Sequence, residues 1–172
     1  KYTCHTTIYV PINMIMKQLN KFSKSDGHPI KGIFKPLNPQ KYKGNAKNIV
    51  FRSSWELRFM KYCDKEKSIA KWGSEEIRIP YNAFGKNKLY YPDFVIMKRL
   101  PNKTFQKYLI EIKPSYQTRK PVLKEGARQT STYKKALHTY EINRQKWNAA
   151  FAWCHRRKIV FKILTEKHLK LF

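Results

Sequence analysis

Tyr90–Met97, YYPDFVIM, has the apolar and aromatic make-up of a buried strand, yet it carries a carboxylate, Asp93, directly after a proline. Burying an unpaired carboxylate is costly, so such a residue needs a partner or a purpose. Gln106–Pro114, QKYLIEIKP, repeats the oddity: Glu111 and Lys113 interrupt a second apolar run, and Pro114 ends it. Strand side chains alternate between faces, so Glu111 and Lys113 share one face while Ile110 and Ile112 take the other. If the two strands pair, Asp93 and Glu111 converge within reach of one cation.

A third carboxylate lies upstream. In FRSSWELRFMKYCDKEK, Ser53 or Ser54 caps a helix expected to run to about Lys67. Phe59, Met60 and Cys63 follow Glu56 at helical spacing, which turns Glu56 with the apolar face and lets it cap the same cluster. Asp93, Glu111 and Glu56, joined by the main-chain carbonyl of Ile112, suit a hard, oxygen-seeking ion: Mg²⁺, with Mn²⁺ as a substitute. Such an ion polarises a phosphodiester and activates a water, and Lys113 orients that water or offsets charge on the phosphorane. The competing reading is an exposed edge strand bearing Glu111 and Lys113, with Asp93 in a turn beside Pro92. The three acids among only 11 Asp and Glu, all in apolar periodic contexts, favour the site.

The rest of the pattern is α/β. Ile69–Glu76 and Ile77–Ala83 read as extended runs, Phe84–Lys88 as a hairpin-like turn and Leu89–Lys98 as one strand. After a turn at Arg99–Thr104 comes the strand Phe105–Lys113, then a basic loop, Ser115–Gln129. A long helix is expected over Thr130–Arg157, with Tyr133, Leu137, Tyr140, Trp147, Phe151 and Cys154 as its apolar stripe. Lys158–Leu164 reads as a last strand, and Thr165 caps a short terminal helix. The expected order is α-β-β-β-β-α-β-α, a mixed sheet flanked by helices. Residues 1–48 are basic, rich in Pro, Gly, Asn and Ser and weakly periodic, and read as a loosely packed N-terminal extension to a domain at 49–172. Met16 is the expected natural start, and YVPINMIM is too short and poorly flanked for a leader.

Charge bounds the partner. The 172 residues hold 37 Lys and Arg against 11 Asp and Glu, a net charge of +26. The basic residues are spread along the chain and interleaved with 10 Phe, 4 Trp and 11 Tyr, so the folded domain rather than a tail is expected to meet a polyanion. No apolar run approaches the ~20 residues of a membrane helix. Cys4, Cys63 and Cys154 form no CxxC pair, and the five histidines form no HxH or HxxxH pair, so no cysteine or histidine metal site is expected. Arg52 and Arg58 beside the Glu56 helix, with Lys120, Lys124, Arg128 and Lys146 further on, are candidate phosphate contacts, each weighed against an ordinary solvated face. Gln129 and Tyr133 stand four residues apart, the spacing of one helical face, and Glu75 or Glu76 offers an additional acid. Trp55, Trp72 and Trp147 read as core.

PDF followed by EIK resembles the PD-(D/E)xK nuclease superfamily, with Glu56 at the place of its upstream helix acid. The wider runs YKGNAKNIVFRSSWELRFMKYCD, AKWGSEEIRIPY, YYPDF, LIEIKP and QKWNAAFAWCHRRKIVFKILTE look like the head-completion nucleases of T-even-like tailed phages, similar in turn to transposon end-cleaving endonucleases. The resemblance covers roughly Pro39 to Leu169. It implies a restriction-endonuclease-like core and a metal-dependent DNA endonuclease trimming DNA that protrudes from a filled head, in the virion or host cytoplasm, beside portal, neck or other head-completion proteins. By motif match Asp93 and Glu111 are metal ligands, Lys113 the catalytic lysine and Glu56 the helix acid. Two alternatives stay open: a head or neck protein that binds DNA without cutting it, and a transposition-type endonuclease that needs a partner recombinase.

Overall fold

The two charged strands pair at the centre of a four-stranded sheet. The computed structural model describes residues 31–169, so Cys4, Met16 and most of the expected extension lie outside the described residues. Strands β1 (Gly32–Phe34) and β2 (Ile49–Phe51) precede helix α1 (Ser54–Lys65). Then come β3 (Ile69–Ser74), β4 (Ile79–Ala83), β5 (Lys86–Tyr90), β6 (Phe94–Arg99) and β7 (Phe105–Ile112). The long helix α2 (Ser131–His155), strand β8 (Val160–Leu164) and the short α3 (Glu166–Leu169) complete the order. The central sheet runs β3-β6-β7-β8; its first two pairings are antiparallel and β7–β8 is parallel. A parallel neighbour needs a long crossover, which α2 supplies. The mixed, helix-flanked sheet is the architecture expected from the sequence.

Both faces of this sheet are covered. Toward α1, Phe94, Ile96, Ile110 and Ile112 pack with Phe59, Met60, Cys63 and Trp72. Toward α2, Leu109 packs with Tyr90, Ala150 and Cys154, and with Tyr81 and Ala83 of the β4–β5 hairpin. The alternation along β7 therefore puts Leu109 and Glu111 on the α2 side and Ile110 and Ile112 on the α1 side. Side-chain caps start both long helices: Ser53 Oγ accepts the Glu56 N–H at 3.1 Å and Thr130 Oγ1 accepts the Tyr133 N–H at 3.1 Å. Caps of this kind contribute about 1 kcal/mol each.

Three expectations are corrected. Leu89–Lys98 is two strands, not one. β5 pairs with β4 in a hairpin turning at Phe84 (φ 51°) and Gly85 (φ 79°), whereas β6 belongs to the central sheet. Pro92 has no N–H to give a ladder, so the chain changes sheets across Tyr91–Asp93 and leaves Asp93 at the strand entrance.

The packed fold also begins before residue 48. β1 pairs with β2, Phe34 is buried, and the Tyr42 ring meets Trp72 edge-on at 4.7 Å. Lys41 Nζ donates to the carbonyls of Cys63, Asp64 and Glu66 at 2.8, 2.6 and 2.9 Å, satisfying the orphan C-terminal carbonyls of α1. The buried Asp64 carboxylate accepts the N–H groups of Leu37 and Asn38 at 2.8 and 3.0 Å. This segment is held by polar caps, which leave no hydrophobic period in the sequence.

On α2 the buried positions are Asn143, Ala150 and Cys154, while Phe151 is 61% exposed. Tyr133, Leu137, Tyr140 and Trp147 are half-buried. No helix among the described residues is long and apolar enough to cross a membrane.

Candidate active site

Asp93, Glu111 and Lys113 meet where β6 begins and β7 ends. β6 and β7 pair with Phe94 opposite Ile110, which carries Asp93 up to the end of β7. Asp93 Oδ2 accepts the Ile112 N–H at 2.6 Å. Glu111, only 2% exposed, spends both oxygens: Oε1 lies 2.8 Å from Lys113 Nζ, and Oε2 accepts the Tyr90 hydroxyl at 2.6 Å. Lys113 Nζ is also 3.4 Å from the Ile112 carbonyl, so that oxygen lies beside the same cluster.

The charges are strongly perturbed. Burial, then the charge of Glu111, pushes the Asp93 carboxyl up to about 8, against the pull of Lys113 and the Ile112 N–H. Burial disfavours the Lys113 ammonium, but Glu111 and Asp93 outweigh it and raise its pKa. At neutral pH Lys113 is thus a counter-charge and donor. Burial and Glu111 push the Tyr90 phenol far above its ordinary range, so it stays an O–H donor.

Glu56 makes its hydrogen bonds at the start of α1. Its Oε2 accepts the Arg52 N–H at 2.8 Å and its Oε1 the Ser53 hydroxyl at 2.8 Å, tying the carboxylate to the cap residue of α1 and the residue before it. Its charge is still felt at Asp93 and Lys113. Among the described residues no group of three or more His, Cys, Asp or Glu side chains is placed to hold an ion. Glu56 is engaged at the N-terminus of α1 by Ser53 and the Arg52 N–H, while Asp93 and Glu111 converge at the sheet. Two crowded carboxylates, one with its ionisation suppressed, beside a main-chain carbonyl make an oxygen donor set short of positive charge. Such a set fits a hard divalent ion.

Of the candidate phosphate contacts, Arg52 is exposed and paired with Glu75 at 2.6 Å, worth under about 1 kcal/mol in water. Arg58 reaches the Leu169 carbonyl at a long 3.4 Å. Lys120, Lys124 and Arg128 are exposed on the loop after β7. Lys146, on α2, is half-buried, with its ammonium 5.9 Å from the Tyr81 ring centre and 5.7 Å from that of Tyr90. Burial lowers its pKa against the pull of Glu111. Glu75 lies next to Asp93, donating its N–H to the Asp93 carbonyl at 3.1 Å, while Glu76 accepts the Tyr42 hydroxyl at 3.1 Å. Gln129 is exposed and precedes α2, so it shares no helical face with Tyr133. Tyr90 was not foreseen. Its only signal is that it closes β5, KNKLY, as the one buried residue of that strand, three places before Asp93.

Two comparisons bear on this geometry. Residues 66–166, more than half the chain, match the family described as TnsA-like endonuclease N terminal. The chain is also 40% identical over 145 residues to the "Head completion nuclease" of Enterobacteria phage T4, covering 81% of this chain and 93% of that relative.

The chain belongs to the TnsA-like endonucleases.

For this TnsA-like endonuclease the restriction-endonuclease-like core agrees with the mixed sheet. The matched segment contains Tyr90, Asp93, Glu111, Lys113 and Lys146, whereas Glu56 lies before it.

Proposed function

We propose that the chain is a divalent-metal-dependent DNA endonuclease that trims DNA at completion of a phage head. The convergence of Asp93, Glu111 and Lys113 carries this reading, supported by the endonuclease family and by the head-completion relative. Asp93 and Glu111, with the Ile112 carbonyl, hold the ion, Mg²⁺ or in its place Mn²⁺. When bound, the ion supplies Lewis-acid polarisation of the phosphodiester and a lowered pKa for attacking water. Lys113 holds that water and counters the charge that builds on the phosphate. Glu56 adds negative charge at the mouth of the site while capping α1. Arg52, Arg58, Lys120, Lys124, Arg128 and Lys146 face the DNA backbone, which a chain of +26 attracts. Portal or neck proteins are the proposed neighbours, in the virion or host cytoplasm.

Incubation with plasmid DNA and Mg²⁺ tests it. Cutting by the wild type, lost on chelation and in Asp93→Ala, is the expected result. DNA binding without cutting under Mg²⁺, Mn²⁺, Co²⁺ or Ca²⁺ overturns it in favour of a purely DNA-binding role.

A further inference from the structure

Glu111 is held from two sides. Lys113 Nζ reaches Oε1 at 2.8 Å from just past the end of β7, and the Tyr90 hydroxyl reaches Oε2 at 2.6 Å from β5. Tyr90 itself is 3% exposed and packed in the apolar cluster under α2. The Lys146 ammonium stands 5.7 Å from the Tyr90 ring centre and 5.9 Å from that of Tyr81, so the ring is clamped between the hairpin and α2. A buried carboxylate with both oxygens held in this way is restrained about its last torsion, and each oxygen keeps a lone pair for a further partner.

We propose that Tyr90 is a positioning residue for Glu111, fixing that carboxylate as a divalent-metal ligand through its hydroxyl, with Lys146 holding the Tyr90 ring in place. This rests on the reading of Glu111 as a ligand. Hydrogen bonds behind a metal ligand set its orientation, and their loss costs about 10- to 100-fold in affinity. Lys146 then acts through Tyr90 from α2, in addition to any contact with DNA. The β4–β5 hairpin becomes part of the site through the Tyr90 hydroxyl.

The test is Mn²⁺ affinity by calorimetry on the full chain, without DNA, for wild type, Tyr90→Phe, Tyr108→Phe and Glu111→Gln. Tyr90→Phe keeps the ring and its contact with Lys146 and removes only the hydroxyl. Tyr108 is on the same strand as Glu111 but its ring faces Lys162, so it controls for loss of a tyrosine hydroxyl. The expected result is Mn²⁺ binding about 10- to 100-fold weaker in Tyr90→Phe, unchanged in Tyr108→Phe and lost in Glu111→Gln. DNA affinity of Tyr90→Phe stays at the wild-type value, and its cleavage defect is partly restored by raising Mn²⁺, which a merely structural role does not do. Placing 4-aminophenylalanine at position 90 returns a donor at the same reach; it is expected to recover affinity, and it stands in should the phenylalanine variant fail to fold. Wild-type Mn²⁺ affinity in Tyr90→Phe, with loss in Glu111→Gln, overturns the positioning role alone. Wild-type affinity in Glu111→Gln overturns the ligand reading and this inference with it.

Discussion

The Ile112 main-chain N–H donates to Asp93 Oδ2 across 2.6 Å, so the two halves of the site are joined by a bond that needs no side chain from the second strand. Asparagine keeps an acceptor at that place and alanine does not. Asp93→Asn is therefore expected to fold with the wild-type circular dichroism spectrum, bind DNA and fail to cut. Asp93→Ala is expected to lose about 1–3 kcal/mol of stability as well, from the Ile112 N–H left without a partner. Urea unfolding beside a plasmid-nicking assay separates the two effects.

The same carboxylate sets a pH dependence. Asp93 rises from 3.8 to about 8 on folding, so the folded chain binds the extra proton between those values. The stability contributed by the protonated form is complete below about 4 and is lost as pH rises through about 8. In metal-free buffer the melting temperature of Asp93→Asn relative to wild type is expected to climb from pH 5 to pH 9 and then level off. A constant difference across that range contradicts the shift.

Lys113 is charged at neutral pH and sits 2.8 Å from Glu111. Lys113→Ala and Lys113→Met are expected to lower the cleavage rate at least about a hundredfold. DNA affinity by fluorescence anisotropy should change less than threefold, since one of 37 cationic side chains is removed.

Residues 35–43 are tied to the end of α1 by Asp64 and Lys41. Asp64→Ala strands two backbone N–H groups and is expected to destabilise the chain by about 2–4 kcal/mol in urea titrations, on the basis of one to a few kcal/mol per orphaned group. A chain beginning at Asn48 is expected not to fold, because it lacks both β1 and the Lys41 cap. Cooperative unfolding of that truncation refutes the assignment of residues 32–47 to the domain.

The loop after β7 exposes Lys120, Lys124 and Arg128. Replacing all three by Gln is expected to reduce the slope of log K against log salt by about 2.7 if each contacts a phosphate of duplex DNA, and to weaken binding alike on all sequences. An unchanged slope places the duplex elsewhere on the surface.

Glu111 and Lys113 are legible because alternation sets them apart from Ile110 and Ile112 without knowledge of neighbours, and Asp93 because a carboxylate stands among apolar residues after Pro92. Glu56 is legible as a helix residue on the apolar side, whereas its bonds to the Ser53 hydroxyl and the Arg52 N–H depend on the geometry of the helix start. The break at Pro92 was hidden by unbroken apolar residues on both sides, which made two strands in different sheets look like one. Tyr90 and Lys41 act through bonds spanning 21 to 25 residues of chain, and a linear pattern carries no trace of such contacts. On α2 aromatic content misled: Phe151 faces solvent while the smaller Ala150 and Cys154 meet the sheet.

The parallel seam between β7 and β8 sets a timetable for the nascent chain. Glu111 lies opposite Ile163, Ile112 opposite Leu164, and the Lys113 N–H is held by the Leu164 carbonyl at 2.9 Å. All of that support is translated after α2, which itself supplies the Lys146 clamp on Tyr90. A ribosome that has just released residue 113 has made every acid of the site but none of its far wall. The backing of Glu111, Ile112 and Lys113 is complete only once β8 has emerged from the exit tunnel, so the acids are synthesised ahead of their support by the length of a helix and a strand.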